Sequence, residues 1–218
     1  MPISKHDVEA VYQRYARKYD FAVNLYRLIG LRIEHYRSRA VDLLRLKRGD
    51  CVIDLGCGTG LNFPYLINRI GPEGRLIGVD ISSEMLACAQ QKVDAAKWRN
   101  VQLIHTDLTA YDFPNGAKGV LSTGVFGYII ERDAVIDKIA KALFPGGRIA
   151  IVDGKRPERW PTSLFNLYVR LASPFGVTPE YFDGRTWEIV ERYFHETTFE
   201  EMYGGLVYIA SGTASIKF

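Results

Sequence analysis

The chain has 218 residues, 47% of them hydrophobic and 24% charged, with a formal net charge of +3. That length suits one α/β domain with a filled core, and three cysteines without a C-x-x-C pair indicate neither a disulfide framework nor a zinc or other metal site. The charge is too small to imply nucleic acid by itself, no run approaches the roughly 20 apolar residues of a membrane span, and no secretory leader is visible. A cytoplasmic protein is expected.

Residues 1–50 carry eleven Lys or Arg against six Asp or Glu. Such a basic start is either a solvated helix face or a surface for anionic lipid or phosphate. Val8, Tyr12, Tyr15 and Tyr19 recur at helical spacing, a stripe that reads first as core packing. The first strand is expected at Cys51–Leu55, with Asp54 near its end, followed by glycines at 56, 58 and 60 and then an apolar helix from about Leu61 to Ile70. Glycines there let the backbone turn sharply and approach a ligand, so the stretch reads as a nucleoside-cofactor loop. It is not the dinucleotide fingerprint, because the third glycine falls one position early and Leu61 stands in its place; nor is it a Walker A loop, since no Gly-Lys-Ser/Thr follows.

Strand two is expected at Arg75–Val79 and closes on Asp80. A helix capped by Ser82 or Ser83 follows, with Met85, Leu86, Ala89 and Val93 at helical spacing. Strand three, Val101–His105, is followed by Asp107. Strand four is placed at Gly119–Thr123, a helix at Asp133–Leu143 stopped by Pro145-Gly146-Gly147, and strand five at Arg148–Asp153. The tail offers a helix at Thr186–Tyr193 and two strands, Glu196–Tyr203 and Leu206–Ser211, joined by Gly204-Gly205. This alternation predicts a parallel sheet covered on both faces.

In such a sheet Asp80 comes to the edge beside the glycine loop, where a carboxylate can accept both hydroxyls of a ribose. Asp107 can accept from an exocyclic adenine amine, with Ile81 and Leu108 flanking the ring. Each acid taken alone could instead be a helix cap or a solvated group.

The successive segments Asp54-Leu55-Gly56-Cys57-Gly58-Thr59-Gly60, Gly78-Val79-Asp80-Ile81-Ser82, Thr106-Asp107-Leu108 and Pro145-Gly146-Gly147 resemble the motifs of class I S-adenosylmethionine-dependent methyltransferases. The resemblance implies a Rossmann-like, seven-stranded, mostly parallel sheet with helices on both faces and a C-terminal antiparallel hairpin, and S-adenosyl-L-methionine as cofactor. It implies Asp54 near the methionine amino group, Gly56, Cys57, Gly58 and Gly60 around ribose and methionine, and Asp80 on the ribose. It further implies Asp107, Leu108, Ile81 and Met85 around the adenine, with Thr123 and Gly124 bordering the methyl group.

The outer segments Tyr15-Ala16-Arg17-Lys18-Tyr19-Asp20 and Tyr203-Gly204-Gly205-Leu206-Val207-Tyr208-Ile209-Ala210-Ser211-Gly212 are similar to bacterial phosphatidylethanolamine N-methyltransferases and ubiquinone/menaquinone biosynthesis methyltransferases. In those groups the N-terminal element folds over the cofactor. Residues 1–47 are therefore expected to form a helical lid, with Tyr19 as the candidate catalytic residue, its π face turned to the sulfonium. Residues 48–218 are expected to form the methyltransferase domain, with an aromatic-rich insertion at 154–185. Within it, the helical face of 164, 167, 168 and 171 is expected first to be buried on the sheet, the alternative being an amphipathic cover for an acyl or prenyl chain or a membrane surface. His6, His35, His105 and His195 lack metal-ligand spacing; His105 and His195 remain candidate bases.

The first reading of function is N-methylation of a phospholipid head-group amine by a protein peripheral to the inner face of a membrane. The alternative is C- or O-methylation of a quinone or another small metabolite, and the non-enzymatic one is a cofactor-binding domain without turnover. Nucleic acid is disfavoured as acceptor, because strand four ends Ser122-Thr123-Gly124-Val125-Phe126 without an Asp/Asn-Pro-Pro-Tyr/Phe element.

Overall fold

The computed structural model describes residues 32–173 and 176–215. Its strands are β1 (Cys51–Leu55), β2 (Arg75–Asp80), β3 (Val101–His105), β4 (Ala117–Thr123), β5 (Leu143–Gly154), β6 (His195–Met202) and β7 (Val207–Thr213). They form one sheet in the order β3-β2-β1-β4-β5-β7-β6. The first five pair in parallel, and β7 runs antiparallel between β5 and β6. This is the expected architecture.

The inner strands β2, β1, β4, β5 and β7 are largely buried because both faces are covered, while the edge strands β3 and β6 are more exposed. On one side Ile53, Leu55, Ile77, Val79, Ile149 and Ile151 pack against α4 (Arg132–Ala142) and α6 (Thr186–Tyr193) through Val135, Ile136, Ile139 and Val190. On the other, Val52, Leu76, Leu121 and Val152 meet α1 (Ile33–Leu43), α2 (Phe63–Ile70) and α3 (Ser83–Ala96). Helix α1 is thus part of the core, burying Ala40 and Val41. The preceding residues, Tyr19 and His6 included, lie outside the described residues.

Two boundaries differ instructively from expectation. Strand β5 begins at Leu143, paired with Ala117, and the register shifts before Gly119 pairs with Arg148. Pro145-Gly146-Gly147 is absorbed as an irregularity of the ladder: Gly146 has φ +78°, and a Cβ on Gly147 would stand 2.8 Å from the Phe144 carbonyl oxygen. Helix α2 begins at Phe63, not Leu61, because the glycine loop continues as turns through Gly60, whose carbonyl accepts from Phe63 N–H, and Asn62 at the N-cap position gives its side chain to Asp54.

The insertion forms α5 (Thr162–Ala172) and a 3₁₀ turn, Pro179–Asp183. Here burial of the 164/167/168/171 face is overturned for its three leucines, and only Tyr168 is half-buried, against Phe182. The buried face is Phe165, Val169 and Ala172, packed with Tyr181, Phe182 and Leu206, while Leu164, Leu167 and Leu171 are 46%, 53% and 69% exposed. The aromatics of the 3₁₀ turn supply a small core of their own, so the helix turns its bulky rings inward and its leucines out.

Candidate functional site

The strand order reverses between β1 and β4, and in open α/β sheets ligands bind in the crevice at such a point, outside the carboxyl ends of the strands. A cleft of about 810 Å³ opens there. Its lining includes Gly56 and Gly58 after β1, Asp80, Ile81 and Met85 after β2, and Asp107 and Leu108 after β3, with Thr123 and Gly124 from the end of β4. Nine of the twelve expected binding residues therefore meet around one cavity.

The glycines have different reasons to be glycine. All three have positive φ, +63°, +53° and +78° at 56, 58 and 60. A Cβ on Gly56 would lie 2.2 Å from Val125 Cγ2, and one on Gly60 would lie 2.7 Å from the Phe63 ring, whereas one on Gly58 would meet nothing within 4 Å. Gly56 and Gly60 are fixed by protein packing as well as by backbone angle; Gly58 is fixed by its backbone angle alone.

Asp80 is buried. Its carboxylate accepts from Gly58 N–H at 2.7 Å and Ser82 N–H at 2.9 Å, tying the loop to β2. Burial raises its pKa, and these backbone donors oppose the rise. Ser82 caps α3 by accepting from Met85 N–H at 3.2 Å, which holds Met85 against the cleft. Asp107 accepts from Thr109 N–H at 2.8 Å.

Asp54, Cys57 and Gly60 are not on the lining. Asp54 is fully buried behind it, its two oxygens accepting from Asn62 Nδ2 at 2.9 and 3.1 Å. Desolvation raises its pKa to about 7, against the Asn62 hydrogen bond and the Arg37 charge. Arg37 donates to Asn62 Oδ1 at 2.5 Å and to Thr123 Oγ1 at 3.2 Å, so the network ends at a cleft residue. Its buried Nε has no hydrogen-bond partner among the described residues. The Cys57 side chain turns into the core near Gly78, and burial pushes its thiol pKa well up, against any nucleophilic role.

Neither histidine candidate reaches the cleft lining. His105 Nε2 bonds to the Ile81 carbonyl at 2.8 Å, and His195 Nε2 to Ser215 Oγ at 2.8 Å. Among the described residues no cluster of His, Cys, Asp or Glu could hold a metal ion, and no helix is long and apolar enough to cross a membrane.

Sequence reasoning missed Arg37, Asn62, Val125, Tyr128 and Ile129. Tyr128 and Ile129 follow β4 and also line a second, smaller cavity of about 410 Å³ with Gly127, Arg132 and Tyr181. Only the Ser-Thr-Gly at the end of β4 hinted at them, through its position at a strand's carboxyl end.

Residues 52–147 match the family described as a methyltransferase domain. Over 172 residues the chain is 30% identical to a demethylmenaquinone methyltransferase of Listeria welshimeri, covering 77% of this chain and 71% of the relative. The chain belongs to the S-adenosylmethionine-dependent methyltransferases. It is also 28% identical over 183 residues to a 2-phytyl-1,4-naphthoquinone methyltransferase of Thermosynechococcus vestitus, covering 80% of this chain and 79% of that one. Among solved structures, an Aquifex aeolicus SAM-dependent methyltransferase shares its fold at TM-score 0.58 and 21% identity, over 78% of this chain and 84% of the other. Phosphoethanolamine N-methyltransferase 2 of Haemonchus contortus, solved with S-adenosyl-L-methionine, does so at TM-score 0.62 and 19% identity, over 79% and 50%.

The methyltransferase cofactor is S-adenosyl-L-methionine, and the residues present suit it. Carboxylates line the cleft beside apolar walls from Ile81, Leu108 and Met85, and beside Gly58 the space is open. Arg37 reaches the cleft only through Thr123, to whose Oγ1 its guanidinium donates.

Proposed function

We propose that this methyltransferase acts on an amphiphilic ring bearing a hydroxyl, of the reduced-quinone type, at carbon or oxygen. This is the alternative set out from the sequence, and it is preferred to the phospholipid amine. The observation that carries it is the pair of relatives near 30% identity, both named for quinone methylation, whereas the phosphoethanolamine enzyme is a likeness of fold. The acceptor end of the cleft agrees with it: Val125, Tyr128 and Ile129 offer apolar and aromatic surface suited to a ring.

Bound S-adenosylmethionine supplies a methyl group already activated by positive sulfur, so little acid–base machinery is required of the protein. In this reading Asp80 accepts from the ribose hydroxyls, while Asp107, Leu108, Ile81 and Met85 hold the adenine. Asp54 and Arg37 support the amino and carboxylate end from behind the lining, through Asn62 and Thr123, and Thr123 and Gly124 border the methyl group. Tyr19 remains a candidate for the lid over the sulfonium.

A peripheral membrane site belongs to the same reading. Leu164, Leu167 and Leu171 face outward on α5, and Arg159 and Arg170 flank them, the composition of a helix that rests in an anionic lipid interface. Two experiments test the proposal. Labelled cofactor should pass its methyl to a reduced, prenylated 1,4-naphthoquinone and not to phosphatidylethanolamine; the reverse would restore the lipid-amine reading. The protein should also sediment with phosphatidylglycerol vesicles, more at low salt than at high, and a failure to do so at either would remove the membrane site.

A further inference from the structure

The carboxyl end of β5 holds a buried acid that the cofactor does not explain. Asp153 is 3% exposed and ties three segments together. It accepts from Gly154 N–H at 2.9 Å, from Gly127 N–H at 3.0 Å and from the Tyr181 hydroxyl of the insertion. Tyr181 is held as firmly as its partner. Its ring packs on Tyr128 and Phe182 with centroids 4.7 and 5.0 Å away, and a Cβ on Gly127 would stand 2.3 Å from it. Its hydroxyl oxygen is 3.9 Å from where a Cβ on Gly124 would be, and Gly124 lines the large cleft. Tyr181 itself lines the smaller cavity, which shares Tyr128 and Ile129 with the cleft. Tyr181 therefore lines the smaller cavity, and its hydroxyl lies beside the stretch of cleft wall that Gly124 forms.

We propose that Tyr181, backed by Asp153, is the group that accepts the proton of a hydroxyl on the methyl acceptor, and that the smaller cavity seats the ring that carries it. The inference rests on the hydroxylated-ring reading of the acceptor. Because the Tyr181 proton is given to Asp153, the phenolic oxygen can serve a second group only as an acceptor. It therefore selects an O–H donor and discriminates against an ether of the same shape. When the acceptor reacts, its O–H bond breaks and the electron pair stays on the acceptor oxygen. The proton passes to the Tyr181 oxygen, and the Tyr181 proton passes to an Asp153 oxygen. Loss of that proton to water restores the pair.

The surroundings favour the relay. Burial raises the Asp153 pKa to about 6, the Tyr181 hydroxyl, the two N–H groups and the Arg132 charge opposing it. The carboxylate is thus ionised at neutral pH, yet more basic than a solvated one. Among the described residues Tyr208 of β7, whose own pKa burial and the Asp153 charge push up, also faces it and stays protonated.

The test compares the whole wild-type protein with Tyr181→Phe, which retains the ring packing, and with Asp153→Asn. With S-adenosylhomocysteine present, calorimetry should show 1-naphthol binding at least 5-fold more tightly than 1-methoxynaphthalene. In Tyr181→Phe this preference should vanish while the affinity for S-adenosylhomocysteine holds. With the reduced prenylated naphthoquinone, Tyr181→Phe should lower kcat by roughly 10²–10⁴-fold at neutral pH. The deficit should shrink as pH rises and the acceptor ionises unaided, and a purely structural role would not give that pH profile. Equal binding of the two naphthalenes by wild type, no binding of either, or a wild-type pH profile in Tyr181→Phe would overturn the proposal. Hydroxyl selectivity without turnover of the naphthoquinol would instead remove the choice of acceptor and leave the dyad standing.

Discussion

The two walls of the cleft are built by different means. The wall formed after β1, β2 and β3 is largely backbone: glycine turns, strand ends and a capped helix bring main-chain atoms and two carboxylates to fixed places. The opposite wall, from the turn after β4, is side chain: Val125, Tyr128 and Ile129, with Tyr128 backed by the ring of Tyr181 from the insertion. Backbone geometry tolerates almost no substitution, whereas a wall of side chains can exchange members at modest cost. A cofactor shared by many enzymes suits the first construction, and an acceptor that differs among them suits the second.

The largest effect should come from the backbone wall. Gly56→Ala adds a Cβ at positive φ that collides with Val125, and should cost about 3 kcal/mol of stability by denaturant unfolding. Adding Val125→Ala should return about 1 kcal/mol of it; no recovery would mean that the backbone angle alone demands glycine. Next, Asp80→Ala should weaken S-adenosylhomocysteine binding by roughly 1.5–3 kcal/mol for lost hydrogen bonds to a charged group. Unchanged affinity by calorimetry would remove Asp80 from the ribose.

The pH response sharpens the same contrast. Asp54 has its pKa raised from 3.8 to about 7, so the folded protein holds that proton more tightly than the unfolded chain does. Stability should therefore fall as pH rises across that window and level off above it. Asp54→Asn should flatten the slope of the denaturant midpoint, and an unaltered slope would show that another group carries it. The smallest effect belongs to the outer face of the insertion. Leu167→Gln with Leu171→Gln should change stability by no more than about 0.5 kcal/mol, since both side chains are exposed, while reducing sedimentation with vesicles.

What was legible in the sequence follows the same division. Gly56, Gly58, Asp80, Met85 and Asp107 announce themselves by local rules, a turn that needs glycine, a strand that ends in an acid, a helix that needs a cap. The strand order follows from the βα alternation for the same reason. Arg37, Asn62 and Tyr181 obey no local rule. Their neighbours are 25, 86 and 28 residues away, and only the folded chain brings Arg37 to Asn62 and Thr123 or Tyr181 to Asp153. The leucines of α5 misled for a related reason. Periodicity reports that a helix has an apolar stripe, but here a second stripe at Phe165, Val169 and Ala172 had the better partners.

The place of β7 has a consequence for how the protein is made. It is the last strand among the described residues, yet it sits inside the sheet, joined to β5 by the register Ile151 to Ala210 and to β6 by Phe199 to Ala210. During synthesis β5 must wait with one side unpaired, exposed to chaperones and to other nascent chains, until residues 207–213 have left the ribosome. Any nonsense codon or proteolytic nick ahead of that stretch should leave an aggregation-prone remnant rather than a shortened enzyme.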